Sequence, residues 1–284
     1  MVPGLDRDDV LGWCRRIDAA PFSSVAAGER VCFPNPDWLA LLSAAAVLTT
    51  RPRVATTVVV LPMHRTVPLA KQLATLDVLS GGRLSVGVGA GARDEDYAAC
   101  GAVRPPRPLS HIEAQVAEMR RVWAGEHCVP GALRPVEPAP VAPGGPEILA
   151  GSLSERAIRR VARVADGITG HSFAPDPEEM TRSFATAREA WREAGRPRPP
   201  RLVTAFWYAL GPRAREQLDA YLHRYLRFLG EDAARALAAR VRVDAPAALR
   251  AALREAEDAG ADEALLIPTT RDPEDVDRVA DLVF

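Results

Sequence analysis

Lysine is almost absent from this chain. Lys71 stands alone among 36 basic residues, so a Schiff-base mechanism has a single candidate amine. Charge excess is missing too: with a formal net charge of −1 and a pI near 6.5, the basic face that a dedicated nucleic-acid or membrane-surface binder presents is not there. Cys14, Cys32, Cys100 and Cys128 lie far apart with no C-x-x-C spacing, which leaves neither a disulfide framework nor a zinc site and makes a reducing, cytoplasmic interior the expected setting. No apolar run is long enough to span a bilayer, and no basic start leads into an apolar core. The expected partner is therefore a small molecule rather than nucleic acid or membrane, and no metal is expected.

What the chain has is length, apolar residues and alternation. With 284 residues, 48% of them hydrophobic, it can bury the core of one α/β barrel or of two smaller domains. Residues 53–97 show the unit. A β-branched run from Val54 to Leu61 precedes an amphipathic helix from Pro68 to Leu79, Gly81-Gly82 stops it, and a second apolar run from Leu84 to Gly89 follows. Strand, crossover helix and strand make the unit of a parallel sheet.

The same pattern runs through the rest. A helix is expected from Asp6 to Ala20, a strand from Phe22 to Ala27, a helix opened by Asn35-Pro36, a strand from Glu147 to Ala150, a helix from Ser152 to Ala165, and short strands at Gly167–Thr169, Leu202–Leu210 and Glu263–Pro268. Asp176-Pro177 and Asp272-Pro273 read as helix openings. From Pro212 to Ala259 the pattern is helical, with breaks expected at Gly230 and Pro246. The count is seven strands, each followed by a helix, which predicts an all-parallel α/β sheet, closed as a TIM barrel or open and doubly wound. An eight-stranded barrel needs one more strand ahead of Asp6, and residues 1–5 are too short for it. The chain reads as a single domain over 1–284 with a proline-rich insertion at 129–146; that insertion is either a lid or a plain surface excursion.

In a parallel barrel the site forms at the C-terminal ends of the strands. That rule selects Glu29-Arg30, Thr57 to His64, Gly89 to Asp96 (with Ala90 and Gly91), Gly151 to Glu155 (with Ser152), Gly170 to Phe173 (with His171), Leu210 to Pro212 and Thr269 to Arg271. Gly87-Val88-Gly89-Ala90-Gly91 fails as a dinucleotide fingerprint, because Arg93-Asp94-Glu95-Asp96 follows instead of an apolar helix; its glycines allow close approach of a flat ligand, or simply turn the chain. Ser152 with Glu155 fits a capping box, and Gly151 beside that helix start makes a candidate phosphate site. His64 and His171 fall on the rim as candidate proton carriers, whereas His111, His127 and His223 fall on surface segments.

Lys71-Gln72-Leu73-Ala74-Thr75-Leu76-Asp77-Val78-Leu79-Ser80-Gly81-Gly82-Arg83 with the Gly-Val-Gly strand end behind it, FSSVAAGER at 22–30, and LAGSLSERAIRRVARVADGI at 149–168 together resemble the bacterial luciferase-like monooxygenase family. The resemblance implies a TIM barrel that holds a flavin at the strand ends. The leading expectation is reduced FMN, delivered by a separate flavin reductase and used with O2 to oxygenate a small organic substrate. The alternatives are hydride transfer with the deazaflavin coenzyme F-420, or a non-catalytic binding or partner subunit. It also implies a homodimer, a non-proline cis peptide at Thr57-Val58 against which the ring rests, cofactor contacts from Glu29, Thr57, Val58, Gly89, Ala90 and Gly91, and the cofactor phosphate near Gly151-Ser152. Where relatives carry an acid–histidine pair, this chain has Glu29-Arg30; Arg30 cannot be a general base and is expected to attract an anionic group, leaving proton transfer to His64 or His171. Ala90 and Ala92 also depart from the family pattern.

Overall fold

Asp6 opens the first helix with both halves of a reciprocal cap: its carboxylate accepts the amides of Asp8 and Asp9, and Asp9 accepts the amide of Asp6. From there strand and helix alternate through the computed structural model, which describes residues 2–151, 154–170 and 175–284. The order is α1 (Arg7–Ala19), β1 (Ser24–Ala27), α2 (Trp38–Leu48), β2 (Arg53–Val60), α3 (Thr66–Leu79), β3 (Leu84–Gly89), α4 (Asp94–Ala99), α5 (Pro108–Trp123), β4 (Glu147–Gly151), α6 (Glu155–Val161), β5 (Gly167–Thr169), α7 (Pro177–Glu193), β6 (Arg201–Tyr208), α8 (Ala214–Leu226), α9 (Glu231–Ala238), α10 (Pro246–Asp258), β7 (Glu263–Pro268) and α11 (Glu274–Val283).

The strands form one sheet in the order β1 to β7, every neighbouring pair parallel. This is a nearly closed seven-stranded barrel with the helices around it. Val54, Val59, Leu84, Val86, Val88, Ile148 and Ile168 are all buried, as expected of strands covered on both faces. Breaks fall at Gly230, where φ is 90°, and at Pro246, the first residue of α10, so 212–259 divides where its sequence said it would. α8 and α9 pack with Trp207 into a core of their own, separate from the main one.

Two helix starts differ from the sequence reading. α2 is capped by Asp37, whose carboxylate accepts the amides of Leu39 and Ala40, while Asn35 donates its side-chain amide to the Pro36 carbonyl. A carboxylate two residues nearer the apolar face outcompetes the Asn-Pro signal. α6 is capped by Ser154, which accepts the amide of Ala157; Glu155 is thus the first helical residue, not the far member of a box begun by Ser152, which lies outside the described residues.

The proline-rich segment is no lid. Asp77, buried at the C-terminal end of α3, accepts the amide of Val141 at 2.8 Å, and Lys71 donates to the Glu137 carbonyl. A Cβ at Gly82 would stand 3.0 Å from Val141, so the segment is laced to the end of the barrel where strands begin, opposite the site.

Tyr208 at the end of β6 donates to Asp275 of α11 at 2.6 Å, with both side chains buried. Burial raises the Asp275 carboxyl, against the opposing bond from Tyr208 and the charge of Arg278. A carboxyl raised by folding stabilises only while protonated in both states, and that contribution is lost as pH rises through its folded value. Asp275→Asn should therefore match wild type in stability near pH 3 and exceed it by about 1 kcal/mol at neutral pH, read by denaturant unfolding across pH; an Asn variant weaker at pH 7 would mean that the ionised form is the one the fold requires.

Candidate functional site

The ends of β1 and β2 bring together two residues that the sequence shows only apart. Glu29 leaves β1 buried, donates its backbone amide to the Val58 carbonyl at 3.1 Å, and accepts through its carboxylate the Val60 amide at 2.7 Å and the Trp38 indole N–H at 3.2 Å. His64 Nε2 lies 2.7 Å from Oε1, the same oxygen that accepts the Trp38 indole, while Oε2 takes the Val60 amide. The histidine is set by its own turn: Leu61–Met63 forms a single 3-10 turn after β2, closed by the His64 amide on the Leu61 carbonyl. Gln115 of α5 then donates its side-chain amide to the carbonyls of both Leu61 and His64, at 3.0 Å each. Trp38 packs edge-on to the imidazole, 6.4 Å between ring centres. The result is a carboxylate–imidazole pair with the carboxylate buried and the ring part-exposed, the arrangement that orients a histidine.

Gln115 and Trp38 were missed in the sequence. The readable signal for Gln115 was its place on the apolar stripe Ile112, Val116, Met119 of α5, where a buried amide must find partners. Trp38 gave less, since a tryptophan at a helix start is more often core.

Between the two strand ends lies the break in register. β2 pairs with β3 up to Thr56 and resumes at Val59, and the Thr57-Val58 peptide is cis. The surrounding glycines are shaped to it. An added Cβ would stand 2.5 Å from the Thr57 carbonyl oxygen at Gly28, 2.7 Å from Val58 Cγ2 at Gly89, and 3.0 Å from Val58 Cγ1 at Gly151. The first two are closer than any real Cβ approaches. The glycines that the sequence offers as room for a ligand thus first make room for the Thr57-Val58 bulge, and Gly91 does the same for Val60 at 2.7 Å. Ala90 is half-buried and its carbonyl accepts the Tyr97 hydroxyl at 2.6 Å.

Arg30 is not a free cation. Its Nε donates to Asp96 at 2.7 Å and its Nη2 to Glu95 at 2.8 Å, and Asp96 also accepts the amides of Val31 and Cys32. Nη1 is buried without a partner among the described residues, and the guanidinium lies 5.0 Å from the centre of the Phe33 ring. Arg93 is pressed between Tyr225 and Phe228, 4.5 and 4.1 Å from their ring centres, which ties the β3 end to the α8 segment; burial lowers its pKa. A cavity of about 20 Å³ lies among Glu29, Arg30, Val60, Met63, Gly91 and Arg93. His171 and Ser152 lie outside the described residues, so of the three proton or charge carriers read from the sequence the structure places Arg30 and His64.

Against known proteins, the model of the family described as luciferase-like monooxygenase matches residues 3–272. An uncharacterised protein of Mycobacterium tuberculosis, Rv0953c, is 34% identical over 173 residues, 58% of this chain and 59% of that one; the chain thus spans under two thirds of the length of the relatives it matches. Among solved structures, a secondary alcohol dehydrogenase dependent on coenzyme F-420, in complex with a cofactor–acetone adduct, superposes with a TM-score of 0.81 at 16% identity, over 97% of this chain and 94% of that one. The oxygenating constituent of 3,6-diketocamphane monooxygenase from Pseudomonas putida, in complex with FMN, gives 0.70 at 18% identity, over 99% and 93%. At these identities the two structures share the fold, and the family match goes further: the chain belongs to the luciferase-like monooxygenase family.

Proposed function

We propose that this chain is a flavin-dependent oxidoreductase whose site lies over the Thr57-Val58 bulge, and that it uses reduced FMN with O2 to oxygenate a small organic substrate. The single observation that carries this reading is the Glu29–His64 pair, its carboxylate buried, set directly beside that bulge. The residues present suit a flat heteroaromatic ring. The bulge offers it a face, Gly89-Ala90-Gly91 keeps the adjoining strand end free of bulk, and Gly151 at the end of β4 offers backbone for a phosphate. When bound, the flavin supplies the redox chemistry.

The chain's own part is positional and protonic. His64, held by Gln115 through its backbone and by Glu29 at Nε2, carries a proton at the mouth. Val58, Val60 and Met63 keep that corner apolar, so the pair works against little bulk water. Arg30, neutralised by Asp96 and Glu95, orders the rim between β1 and α4 and leaves only Nη1 for a polar substrate atom. A homodimer and a partner flavin reductase complete the proposal.

Titrating the full chain with FMN and with coenzyme F-420, each oxidised and reduced, and following fluorescence separates the readings. Saturable binding of reduced FMN supports the monooxygenase; preference for coenzyme F-420 moves the reaction to hydride transfer without oxygen. No binding of any form at tens of micromolar, a range in which cofactor affinities ordinarily register, would sink both.

A further inference from the structure

Two buried N–H donors at the strand ends have no acceptor among the described residues: Nη1 of Arg30 and Nε of Arg93. Both arginines line the same cavity of about 20 Å³, together with Glu29, Val60, Met63 and Asp96. The Arg30 side chain is 5% exposed and fixed by Asp96 at Nε and Glu95 at Nη2, so its third nitrogen cannot turn to solvent. Arg93 is fixed from another element. Its Nη2 donates to the Tyr225 carbonyl at 3.4 Å, and its guanidinium lies against the Tyr225 and Phe228 rings. The Tyr225 ring centre is also 5.7 Å from the Arg30 guanidinium, so one ring serves both cations.

Buried donors without acceptors are rare in folded chains and cost more when the donor is charged. The nearby acceptors are already engaged. Asp96 takes Arg30 and the amides of Val31 and Cys32, Glu29 takes Trp38, His64 and Val60, and the Ala90 carbonyl takes the Tyr97 hydroxyl. The missing acceptor must therefore come from outside the chain. The void has room for one oxygen, since a water needs about 10–15 Å³ of such space, and is too small for a whole phosphate. Charge narrows the choice further. Glu29 belongs to the His64 pair, and Glu95 has a side chain 50% exposed, where solvent screens it. What remains buried is two arginines against Asp96 alone; burial lowers the Arg93 pKa and the Arg30 charge adds to that. A water or a ketone oxygen would meet the N–H groups and leave the excess charge. A carboxylate oxygen meets both, through charge-assisted bonds about twice as strong as neutral ones.

We propose that the substrate of this site is a small organic monocarboxylate, one oxygen of which fills the void at Arg30 Nη1 and Arg93 Nε while the rest of the molecule leaves past Ala92. Ala92 is exposed and small, and Val60 and Met63 give the void an apolar wall for the carbon next to the carboxylate. Arg93 becomes a specificity-determining residue: with Arg30 it selects a charged oxygen over a neutral one. The inference rests on the oxidoreductase reading only in calling this ligand a substrate, because the preference for a carboxylate belongs to the chain without flavin.

The test titrates the full chain, without flavin, by calorimetry with acetate and benzoate and with their neutral counterparts acetamide and benzamide. Saturable binding of a carboxylate is expected, with its amide at least ~10-fold weaker. Arg93→Gln, which removes the charge and the Nε donor, should weaken the carboxylate at least ~10-fold and abolish its advantage over the amide. Should that variant not fold, a wild-type crystal soaked in 4-bromobenzoate and read by the bromine signal decides alone: the carboxylate should lie at about 2.7–2.9 Å from Arg30 Nη1 and Arg93 Nε. No saturation by either carboxylate up to ~50 mM, equal affinity for acid and amide, displacement of benzoate by an equal concentration of chloride, or bromobenzoate bound away from both nitrogens would each overturn the inference. The flavin titration is separate: reduced FMN bound with no preference for the carboxylate would overturn this inference alone, whereas carboxylate preference with no flavin bound would support the subsite and sink the redox reading.

Discussion

Alanine in place of His64 should lower kcat by ~10²–10⁴-fold, the range a positioned proton carrier contributes, while KM and the thermal midpoint change little. The asymmetry follows from the geometry. The imidazole is part-exposed and, among the described residues, makes one polar side-chain contact, to Glu29, whereas the turn that carries it is held through backbone carbonyls by Gln115. Removing the ring therefore leaves the turn in place. Glu29→Gln should behave differently. The carboxylate accepts from the Val60 amide and the Trp38 indole as well as meeting His64, and a glutamine has one acceptor oxygen where the glutamate has two. One buried N–H then faces another, so this variant should lose activity and also ~1–3 kcal/mol of stability. Steady-state kinetics with denaturant unfolding tells the two apart. An unchanged kcat in His64→Ala would mean that the pair only fastens β1 to β2, and the proton would have to come from elsewhere.

The two members of this pair were legible singly. Strand-end position selected Glu29 and His64 each on its own, and a rule about where sites form in parallel barrels needs no knowledge of contacts. Their meeting was not legible, because 35 residues separate them and the turn that swings His64 back depends on Gln115 from a third element. Arg30 is the opposite case. A lone arginine at a strand end reads as an anion receptor, and only the fold reveals that Asp96 and Glu95, more than 60 residues on, already occupy two sides of it. The elements themselves came through well where period and punctuation agreed, as in Leu84–Gly89 and Glu263–Pro268, and shifted by a few residues where two capping residues competed, as at Asn35 against Asp37.

Arginine 83 is where the most family-like stretch of the sequence shows its purpose. Its guanidinium donates to the Ser80 carbonyl at 2.6 Å, the Pro52 carbonyl at 2.6 Å, the Ala46 carbonyl at 2.8 Å, the Thr49 carbonyl at 2.9 Å and the Thr49 hydroxyl at 3.1 Å. Ala46 and Thr49 belong to the last turn and cap of α2, whose carbonyls have no helical partner of their own; Pro52 leads into β2, and Ser80 ends α3. One planar fork thus fastens two helix ends and a strand start at the face opposite the site. Arg83→Ala should leave several of these carbonyls unmatched and cost ~3–4 kcal/mol, lowering the thermal midpoint by roughly 6–16 °C at the 2–4 °C per kcal/mol of larger domains. Arg83→Lys should recover only part of that, because a single ammonium cannot span acceptors that diverge across the fork. Cofactor affinity measured well below the midpoint should survive both substitutions, since nothing in this clamp reaches the strand ends. A shift of less than about 2 °C in Arg83→Ala, half of what 1 kcal/mol produces at most, would show that water replaces the arginine at these carbonyls; a loss of cofactor binding at full folding would show instead that the clamp sets the position of Thr57-Val58 from the far end of β2.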